Sequence, residues 1–413
     1  MKTSMTRRGL IRLAGASGGL GVLGGGAVEL ASDAVAQSAA GLPPQVGIEP
    51  ITIKRRGTGF HGYDPARAFP GFTLFAPTGK NNKTVYLIDL QGNVVHTWNM
   101  PYPPGQYGYL TDRGTLFYNG QIPNSSHVGQ ANYMGGAALE MDWKGRVLWE
   151  VNNPDHHHDG LRLRNGNVLL ICAKPLPDEI VPKVRGGRPG SEYDNGKMNG
   201  DYLVEMTTDG KVVWEWRAWE HLDPVQDAIT AVQDDRDVWT HANGVSEMPD
   251  GNILLSFRNI STVIMINRQS GEIFWKLGAP PLSGQHAPYI LPNGNILLLD
   301  NGPHRLDQSF PFSRILEIEP ATKKIVWKYQ ESIVSNFFNP RIGSARRLPN
   351  GNTLIDEGWF GRFFEVTPEG DVVWEYVNPY FAGPANEPKA QSNQVFRAYR
   401  YTAEEIARAQ AAT

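Results

Sequence analysis

Short apolar runs separated by tight turns dominate the chain, and the clearest example lies between residues 239 and 301. There a His, an alternating run, a Pro-Asp-Gly or Pro-Asn-Gly turn and a second apolar run occur twice in succession. His241 and His286 open the two copies, and Gly251 and Gly294 end the two turns. Such runs on either side of a Gly-containing turn predict β-hairpins. Each His therefore stands where a strand begins.

An apolar strand that ends in tryptophan recurs along the chain, with a turn glycine in the hairpin that precedes most copies. Four short strands per unit, repeated at roughly 45 to 65 residues, predict the blades of a β-propeller. We expect the tryptophans to pack between adjacent blades. The tryptophans are Trp98, Trp149, Trp216, Trp275, Trp327 and Trp374, and the turn glycines are Gly114, Gly166, Gly251, Gly294 and Gly351.

The repeats predict an all-β chain that folds as a six-bladed β-propeller over residues 71–401. The first unit lacks its innermost strand, and residues 395–400 form an alternating run that can supply it. Strands from both termini would then close the ring, which removes exposed sheet edges. Residues 38–70 remain as an N-terminal extension and residues 402–413 as a C-terminal tail.

Residues 1–37 have the features of an export signal. Arg7-Arg8 precede a run rich in Gly, Ala and Leu, and Ala34-Val35-Ala36 fits a small-residue cleavage site. The paired arginines indicate export by the twin-arginine route to the periplasm. A membrane anchor is the alternative, but glycines interrupt the run and it is too polar for a stable span of ~20 residues. We therefore expect no stable membrane anchor.

Composition narrows the classes of function. The formal net charge is −3 at pH 7 and there is no basic run, so nucleic-acid binding is not expected. Cys172 is the only cysteine and lies in an apolar run. The chain therefore has no internal disulfide, and Cys172 is expected to be a buried, inert thiol.

Three histidines occupy equivalent positions in successive units. His158 and His286 each stand eight residues before their turn glycine, and His241 stands ten before, an offset that a β-bulge can absorb. All three are expected at the start of an innermost strand. Arg258 follows the second strand of its hairpin, so folding can bring it towards them. Converging imidazoles and a guanidinium favour a site for a small anion.

A metal site is the competing interpretation, because His156, His157 and His158 are consecutive. Beside them stand only the carboxylates of Asp155 and Asp159, and a nearby arginine would repel a cation. We therefore predict no metal site.

At these residues the chain resembles the bacterial arylsulfotransferase family, exported enzymes that use aryl sulfates as donors and need no nucleotide cofactor. The resemblance covers most of the chain after the export signal and implies a six-bladed propeller without a cofactor. Its main motifs are His157-His158-Asp159, Trp239-Thr240-His241-Ala242-Asn243, Ser256-Phe257-Arg258-Asn259, Gln285-His286-Ala287 and Ser344-Ala345-Arg346-Arg347.

The resemblance also implies roles for individual residues. His286 falls at the family's nucleophile, which carries the sulfuryl group between a phenolic sulfate donor and a phenol acceptor in a ping-pong reaction. His158, His241 and Arg258 match the residues that hold the sulfate oxygens. Further candidates for substrate binding are Asn243, His157 and Arg346. The region before residue 72 is too short for the extra N-terminal β domain of some members, so the oligomeric state stays open.

Two other classes of function remain as alternatives. The run Thr207-Thr208-Asp209-Gly210 resembles the docking repeats of quinone-dependent dehydrogenase propellers, but adjacent cysteines are absent from the sequence. The visible absorbance of the purified protein would reveal such a cofactor. The other alternative is a non-catalytic binding platform, whose partner binding would survive loss of every histidine.

Overall fold

The computed structural model describes residues 57–125, 128, 133–194, 196–305, 307–383 and 392–412. These residues form six sheets of four or five strands. The innermost strand of each sheet contacts the innermost strands of the sheets before and after it. The prediction of an all-β, six-bladed propeller is confirmed.

The strands of every blade pair in order from the innermost to the outermost. In that order, blade 1 contains β26 (Val395–Tyr401), β2 (Phe72–Pro77), β3 (Thr84–Ile88) and β4 (Val94–Asn99), and blade 2 contains β5 (Pro104–Leu110), β6 (Leu116–Gln121), β7 (Gly136–Met141) and β8 (Val147–Asn152). Blade 3 contains β9 (His156–Arg162), β10 (Val168–Pro175), β11 (Asn199–Met206) and β12 (Val212–Arg217), and the short β13 (Val238–Trp239) pairs in parallel with β11. Blade 4 contains β14 (Ala242–Glu247), β15 (Ile253–Phe257), β16 (Thr262–Ile266) and β17 (Ile273–Leu277), and blade 5 contains β18 (His286–Ile290), β19 (Ile296–Asp300), β20 (Arg314–Glu319) and β21 (Lys324–Tyr329). Blade 6 contains β22 (Ser344–Arg347), β23 (Thr353–Glu357), β24 (Arg362–Val366), β25 (Val372–Val377) and β1 (Gly59–Tyr63). Four 3-10 turns (Val181–Lys183, Ala218–Glu220, Val334–Asn336 and Gly358–Phe360) and the helix α1 (Ala403–Ala411) complete the described elements.

The predicted hairpin turns join the first two strands of their blades. Gly251 connects β14 to β15 and Gly294 connects β18 to β19, each with a φ of +85°. A Cβ at either position would meet no atom within 4 Å. The left-handed backbone, and not a lack of space, therefore favours glycine at these turns.

The tryptophans of the outer strands join neighbouring blades, as predicted. The indole Nε1 of five of them donates a hydrogen bond to a backbone carbonyl in the next blade. Trp374 connects blade 6 to blade 1 through the carbonyl of Leu90 at 2.7 Å. Trp149 is the exception, because it donates to Glu140 of its own blade.

Strands from both ends of the described chain meet in blade 1. There β26 pairs antiparallel with β2, and Tyr401 lies opposite Phe72. The N-terminal extension contributes β1, which pairs with the outer strand β25 of blade 6. Val373 in β25 is fully buried, whereas the corresponding Val213 of blade 3 is 47% exposed. Blade 6 thus has an edge strand that the sequence pattern did not predict.

Residues 402–413 contain a helix where the sequence analysis expected a tail. Thr402 and Glu405 form a capping box at its N-terminus. Ile406 and Ala409 pack into the apolar cluster that also holds Leu116. The helix therefore covers part of the core near blades 1 and 2.

Two further predictions concern Cys172 and the N-terminus. Cys172 is fully buried, as predicted, and burial raises the pKa of its thiol. The predicted export signal at residues 1–37 and the extension as far as residue 56 lie outside the described residues. In the part of the chain that the structure describes, every helix is too short or too polar to cross a membrane.

Candidate active site

The inner strands of blades 3, 4 and 5 open onto one cavity of about 450 Å³. His158 lies in β9, His241 directly precedes β14, and His286 begins β18. Arg258 directly follows β15. All four side chains line the cavity. The structure thus brings together the four residues that the sequence analysis named as catalytic.

Left-handed backbone conformations cluster around this cavity. The φ angles are +55° at His158, +54° at His241, +51° at Ala287 and +55° at Ile342. Such angles are uncommon outside glycine, and their persistence requires support from the surrounding structure. Four successive blades each place at least one such residue where the inner strand begins or just before it. The repeated strain therefore points to a functional role for this end of the propeller.

His286 is buried with its two ring nitrogens in different surroundings. Its Nδ1 lies 2.8 Å from Asn301 Oδ1 and 3.2 Å from Gly284 O, and both of these atoms are acceptors. Nδ1 therefore carries the proton, and Nε2 keeps its lone pair. The backbone N–H of Ile342 donates to Nε2 at 3.2 Å. Burial lowers the pKa of His286 to about 3, so the ring is neutral near pH 7.

Asn301 is itself held in one orientation. Its Nδ2 donates to Asn339 O at 2.8 Å and to Ile342 O at 2.9 Å. Because both partners are carbonyls, the amide nitrogen must face them and Oδ1 must face His286. This orientation fixes the tautomer of His286.

The other imidazoles form a contact chain beside the cavity. His241 Nε2 lies 3.2 Å from His158 Nε2, and His158 Nδ1 lies 2.7 Å from His157 Nδ1. At the other end, the hydroxyl of Tyr133 lies 2.9 Å from His241 Nδ1. Burial is the main reason that the pKa values of His158 and His241 lie well below the usual range. Both rings are therefore neutral near pH 7.

Arg258 brings a fixed positive charge to the cavity. Its Nη1 donates to both carboxylate oxygens of Asp234, at 3.1 and 3.2 Å, and to Asn259 Oδ1 at 3.1 Å. His304 Nε2 holds the same carboxylate at 2.8 Å. Burial by itself would raise the pKa of Asp234, but His304 and Arg258 together keep it below its usual value. The ionised Asp234 thus orients Arg258 along the cavity wall.

A sequence profile of the Arylsulfotransferase (ASST) family matches residues 64–282, which is over half of the chain. The chain belongs to the arylsulfotransferase family. It is 22% identical to the arylsulfate sulfotransferase AssT of Escherichia coli O6:H1 (strain CFT073), over 63% of this chain and 57% of AssT. The chain thus spans just over half the length of this curated relative.

Solved structures show more distant likenesses. A Bacteroides caccae protein of unknown function has a TM-score of 0.49 at 13% identity, over 80% of this chain and 99% of that one. The β-propeller domain of Myceliophteria thermophila Cps50 (Swd1) has a TM-score of 0.45 at 12% identity, over 79% of this chain and 88% of that one.

Three other predicted residues of this arylsulfotransferase-family chain lie outside the lining of the cavity. Asn243 is buried, and its Nδ2 donates to Gln285 O at 2.7 Å. His157 is buried behind His158. Arg346 donates to the hydroxyl of Tyr399 at 3.2 Å and lies over that ring. The structure therefore does not bring these residues to the cavity with the other four.

Sequence reasoning missed three residues that support this site. Asn301 directly follows the second strand of its hairpin, the position that Arg258 occupies in the preceding blade, and this shared position was the available signal. Asp201 is one of two acidic residues in β11, a strand that is buried along its whole length. Tyr133 lies outside the predicted strands, and no pattern in the sequence marks it.

The three consecutive histidines do not converge as metal ligands, because His156 turns away while His157 and His158 contact each other. His156 contacts Ile171 O at 3.2 Å and Asn119 Oδ1 at 3.1 Å. The carboxylate of Asp159 pairs with Arg397 at 2.6 Å. Among the described residues, no group of three His, Cys, Asp or Glu side chains is arranged to hold a metal ion.

Proposed function

We propose that this chain transfers a sulfuryl group from a phenolic sulfate ester to an acceptor phenol, through a sulfohistidine on His286. The family assignment supports this activity, and it favours a transferase over the quinone-dependent and non-catalytic alternatives. The observation that carries the mechanism is the state of His286. It is a neutral, buried imidazole whose Nδ1–H is bound by Asn301 and whose Nε2 carries the lone pair. That lone pair accepts the N–H of Ile342 at 3.2 Å, a contact that Nε2 gives up as it attacks sulfur.

In the first half-reaction, Nε2 of His286 attacks sulfur and the bond from sulfur to the phenolic oxygen breaks. The electron pair of that bond leaves with the phenolate, which is a tolerable leaving group. In the second half-reaction, the oxygen of the acceptor phenol attacks sulfur, and the nitrogen–sulfur bond returns its electron pair to Nε2. Covalent catalysis of this kind produces ping-pong kinetics.

Arg258 supplies the positive charge that sulfuryl transfer needs. By analogy with phosphoryl transfer, we expect a loose transition state whose negative charge is spread over three oxygens, so fixed donors contribute much of the catalysis. Among the described residues, the partners of the Arg258 guanidinium all contact Nη1, which leaves Nη2 and Nε for the sulfuryl oxygens. The N–H of Ile342 lies beside Nε2 of His286, where a sulfuryl oxygen would arrive.

Detection of the covalent intermediate tests this mechanism. The enzyme is mixed with a chromogenic aryl sulfate without acceptor, quenched without acid, and digested for peptide mass spectrometry. We expect added sulfuryl mass on the peptide containing His286, together with a burst of released phenol. His286→Ala should abolish both signals, whereas His61→Ala, which changes an exposed histidine in β1, should leave them intact. Sulfuryl mass on another residue, or kinetics that require both substrates bound together, would remove His286 from this role.

We also propose that the protein acts in the periplasm after twin-arginine export. The support is the Arg7-Arg8 pair ahead of the weakly apolar run and the small-residue site before Gln37. Replacing both arginines with lysine should retain the protein in the cytoplasm upon cell fractionation. Equal periplasmic amounts of the variant and the unchanged chain would contradict the proposed route.

A further inference from the structure

A line of hydrogen-bonded groups runs from the cavity into the protein beside the proposed nucleophile. It begins at the hydroxyl of Tyr133, which lines the cavity, and continues through His241, His158 and His157. It ends at Asp201, whose Oδ1 lies 3.1 Å from His157 Nε2. The geometry of that last contact falls outside the usual hydrogen-bond range, but neither atom has another hydrogen-bond partner among the described residues. Tyr133, His158, His157 and Asp201 are at least nine-tenths buried, and His241 between them is partly exposed.

Asp201 is oriented by two donors. Its Oδ2 accepts a hydrogen bond from the backbone N–H of Ala242 at 2.9 Å and another from the hydroxyl of Thr240. Because both donors contact Oδ2, Oδ1 faces His157 as an acceptor.

The carboxylate fixes the direction of every hydrogen bond in the line. A neutral imidazole has one donor and one acceptor nitrogen, so His157 carries its proton on Nε2, which faces Asp201 Oδ1, and accepts at Nδ1. His158 then donates from Nδ1 and accepts at Nε2, and His241 donates from Nε2 and accepts at Nδ1. The last donor is the hydroxyl of Tyr133. The opposite direction would set a lone pair of His157 against the carboxylate of Asp201.

We infer that this line is a proton relay that takes the proton of the acceptor phenol through Tyr133 and stores it on His157 beside Asp201. The inference rests on the proposed sulfotransfer and adds a catalytic residue, Tyr133, to it. As the acceptor oxygen attacks sulfur, its proton moves to the Tyr133 oxygen, and the Tyr133 proton moves to His241 Nδ1. His241 passes its Nε2 proton to His158, and His158 passes its Nδ1 proton to His157.

The transfer leaves every group with a hydrogen-bond partner. After it, each bond between Tyr133 and His157 points the other way, and His157 is an imidazolium 3.1 Å from the Asp201 carboxylate. The positive charge therefore does not remain on His158 or His241, whose protonated forms are disfavoured by burial. In the next first half-reaction the stored proton can return by the same route to the departing phenolate. No further reactant is needed.

The neighbouring rings hold Tyr133 in place for this task. Its ring stacks on His157 with centroids 4.5 Å apart and meets His158 and His241 edge-on at 4.8 and 5.1 Å. Tyr133→Phe should keep these contacts and remove only the hydroxyl. The variant therefore separates proton transfer from packing.

The test compares two acceptors that differ in whether they carry a proton to remove. Sulfated enzyme is formed with a chromogenic aryl sulfate and then mixed with either a simple phenol, protonated at pH 7, or a nitrated phenol that is largely ionised at that pH. Loss of sulfuryl mass from the His286 peptide gives the rate of the second half-reaction. For Tyr133→Phe we expect a loss of ~100-fold or more with the protonated phenol, which is typical of removing a general base. The ionised acceptor should react at close to the rate of the unchanged enzyme.

Two further variants complete the test. Asp201→Asn should show the same selective loss with the protonated phenol. The double variant of Tyr133→Phe and Asp201→Asn should be no slower than the slower single variant, because either substitution alone already interrupts the same proton path. Tyr118→Phe removes a buried hydroxyl that donates to Tyr102 O at 3.0 Å, and it should leave both acceptors unaffected. The ratio of the rates with the two acceptors in Tyr133→Phe tests the relay by itself, so the test stands even if Asp201→Asn fails to fold.

Equal losses for the two acceptors, or no loss for either, would overturn the relay. Such a result would leave the proposed sulfotransfer intact, because formation of the His286 adduct is measured before any acceptor is added. Absence of the adduct in the unchanged enzyme would instead overturn the proposed function.

Discussion

Asn301→Ala is the most direct probe of how the fold prepares His286. The substitution removes Oδ1, which accepts the Nδ1 proton of His286 at 2.8 Å, and leaves only Gly284 O at 3.2 Å. During attack on sulfur the imidazole gains positive charge, so this hydrogen bond strengthens. A bond between neutral groups contributes ~1 kcal/mol and one to a charged group roughly 1.5–3 kcal/mol. A difference of ~0.5–2 kcal/mol in the barrier lowers the rate by about 2- to 30-fold.

The same substitution has a structural cost that must be separated from the catalytic one. The Asn301 amide also donates to Asn339 O and Ile342 O. The Ile342 carbonyl keeps Asn339 Nδ2 as a second donor at 2.8 Å. The Asn339 carbonyl keeps only a longer contact with Ser313 Oγ at 3.3 Å, because the single proton of that hydroxyl lies closer to Asn301 O at 2.7 Å. We therefore expect a loss in the free energy of unfolding of ~1–3 kcal/mol, with the fold retained.

Stopped-flow release of phenol in a single turnover measures the catalytic effect. The rate constant should fall while the concentration of aryl sulfate that gives half the maximal rate changes little, because Asn301 does not line the cavity. The matched control is Asn352→Ala, which removes another buried amide that donates to Arg67 O at 2.7 Å and Glu365 Oε1 at 2.6 Å. It should lose stability without losing rate. Full activity in Asn301→Ala, or an equal loss in Asn352→Ala, would refute this role for Asn301.

Three other predictions follow from the charge, the topology and the burial of the site. Arg258→Lys keeps the charge but loses the planar guanidinium that can donate two parallel hydrogen bonds, so turnover should fall by roughly 10- to 1000-fold. The control Arg146→Lys, at an exposed position, should leave turnover unchanged. Full turnover in Arg258→Lys would mean that Arg258 has only a structural role. Deleting residues 394–413 removes β26 and should lower the melting temperature strongly. Deleting residues 403–413 removes only α1 and should lower it much less. If the longer deletion leaves the melting temperature unchanged, the ring does not depend on the pairing of β26 with β2. Burial lowers the pKa values of His156 and His286 to about 3, below the value of about 6.5 in the unfolded chain. The unfolded state therefore binds more protons than the folded state between these pH values. As a result, the free energy of unfolding should decrease as pH falls from 6.5 towards 3. Denaturant unfolding at several pH values measures that slope, His156→Gln should flatten it, and equal stability at pH 7 and pH 5 would contradict it.

The parts of this protein that follow the repeat could be predicted from its sequence. The turn glycines and outer-strand tryptophans recur in register, so they define blades without knowledge of any contact between them. His158, His241 and His286 were identified in the same way, because equivalent positions in successive blades lie around one axis. Arg258 follows from its place at the end of a second strand.

The residues that adjust the chemistry could not be predicted in this way. Tyr133 reaches the cavity from a segment between β6 and β7, outside the strand pattern. Asp201 lies in the third strand of its blade, yet it faces the histidine of the first strand. The strand β1 is a short sequence rich in Gly and aromatic residues, and only its pairing with β25 reveals its role. Each of these contacts joins elements that do not occupy equivalent or neighbouring positions in the blade pattern, so the repeat alone does not predict them.

In the proposed reaction, the charge balance of the site lets one cavity suit both an anionic donor and a neutral nucleophile. If the histidines supplied the positive charge, sulfate binding would require protonated rings, and Nε2 of His286 would have no lone pair. Burial keeps the pKa of His286 low, and the proximity of Arg258 lowers it further. The positive charge rests instead on the guanidinium of Arg258, which Asp234 fixes in place. In the proposed reaction sulfate binding therefore needs no protonated histidine, and the burial that frees His286 for attack is also what destabilises the fold in acid.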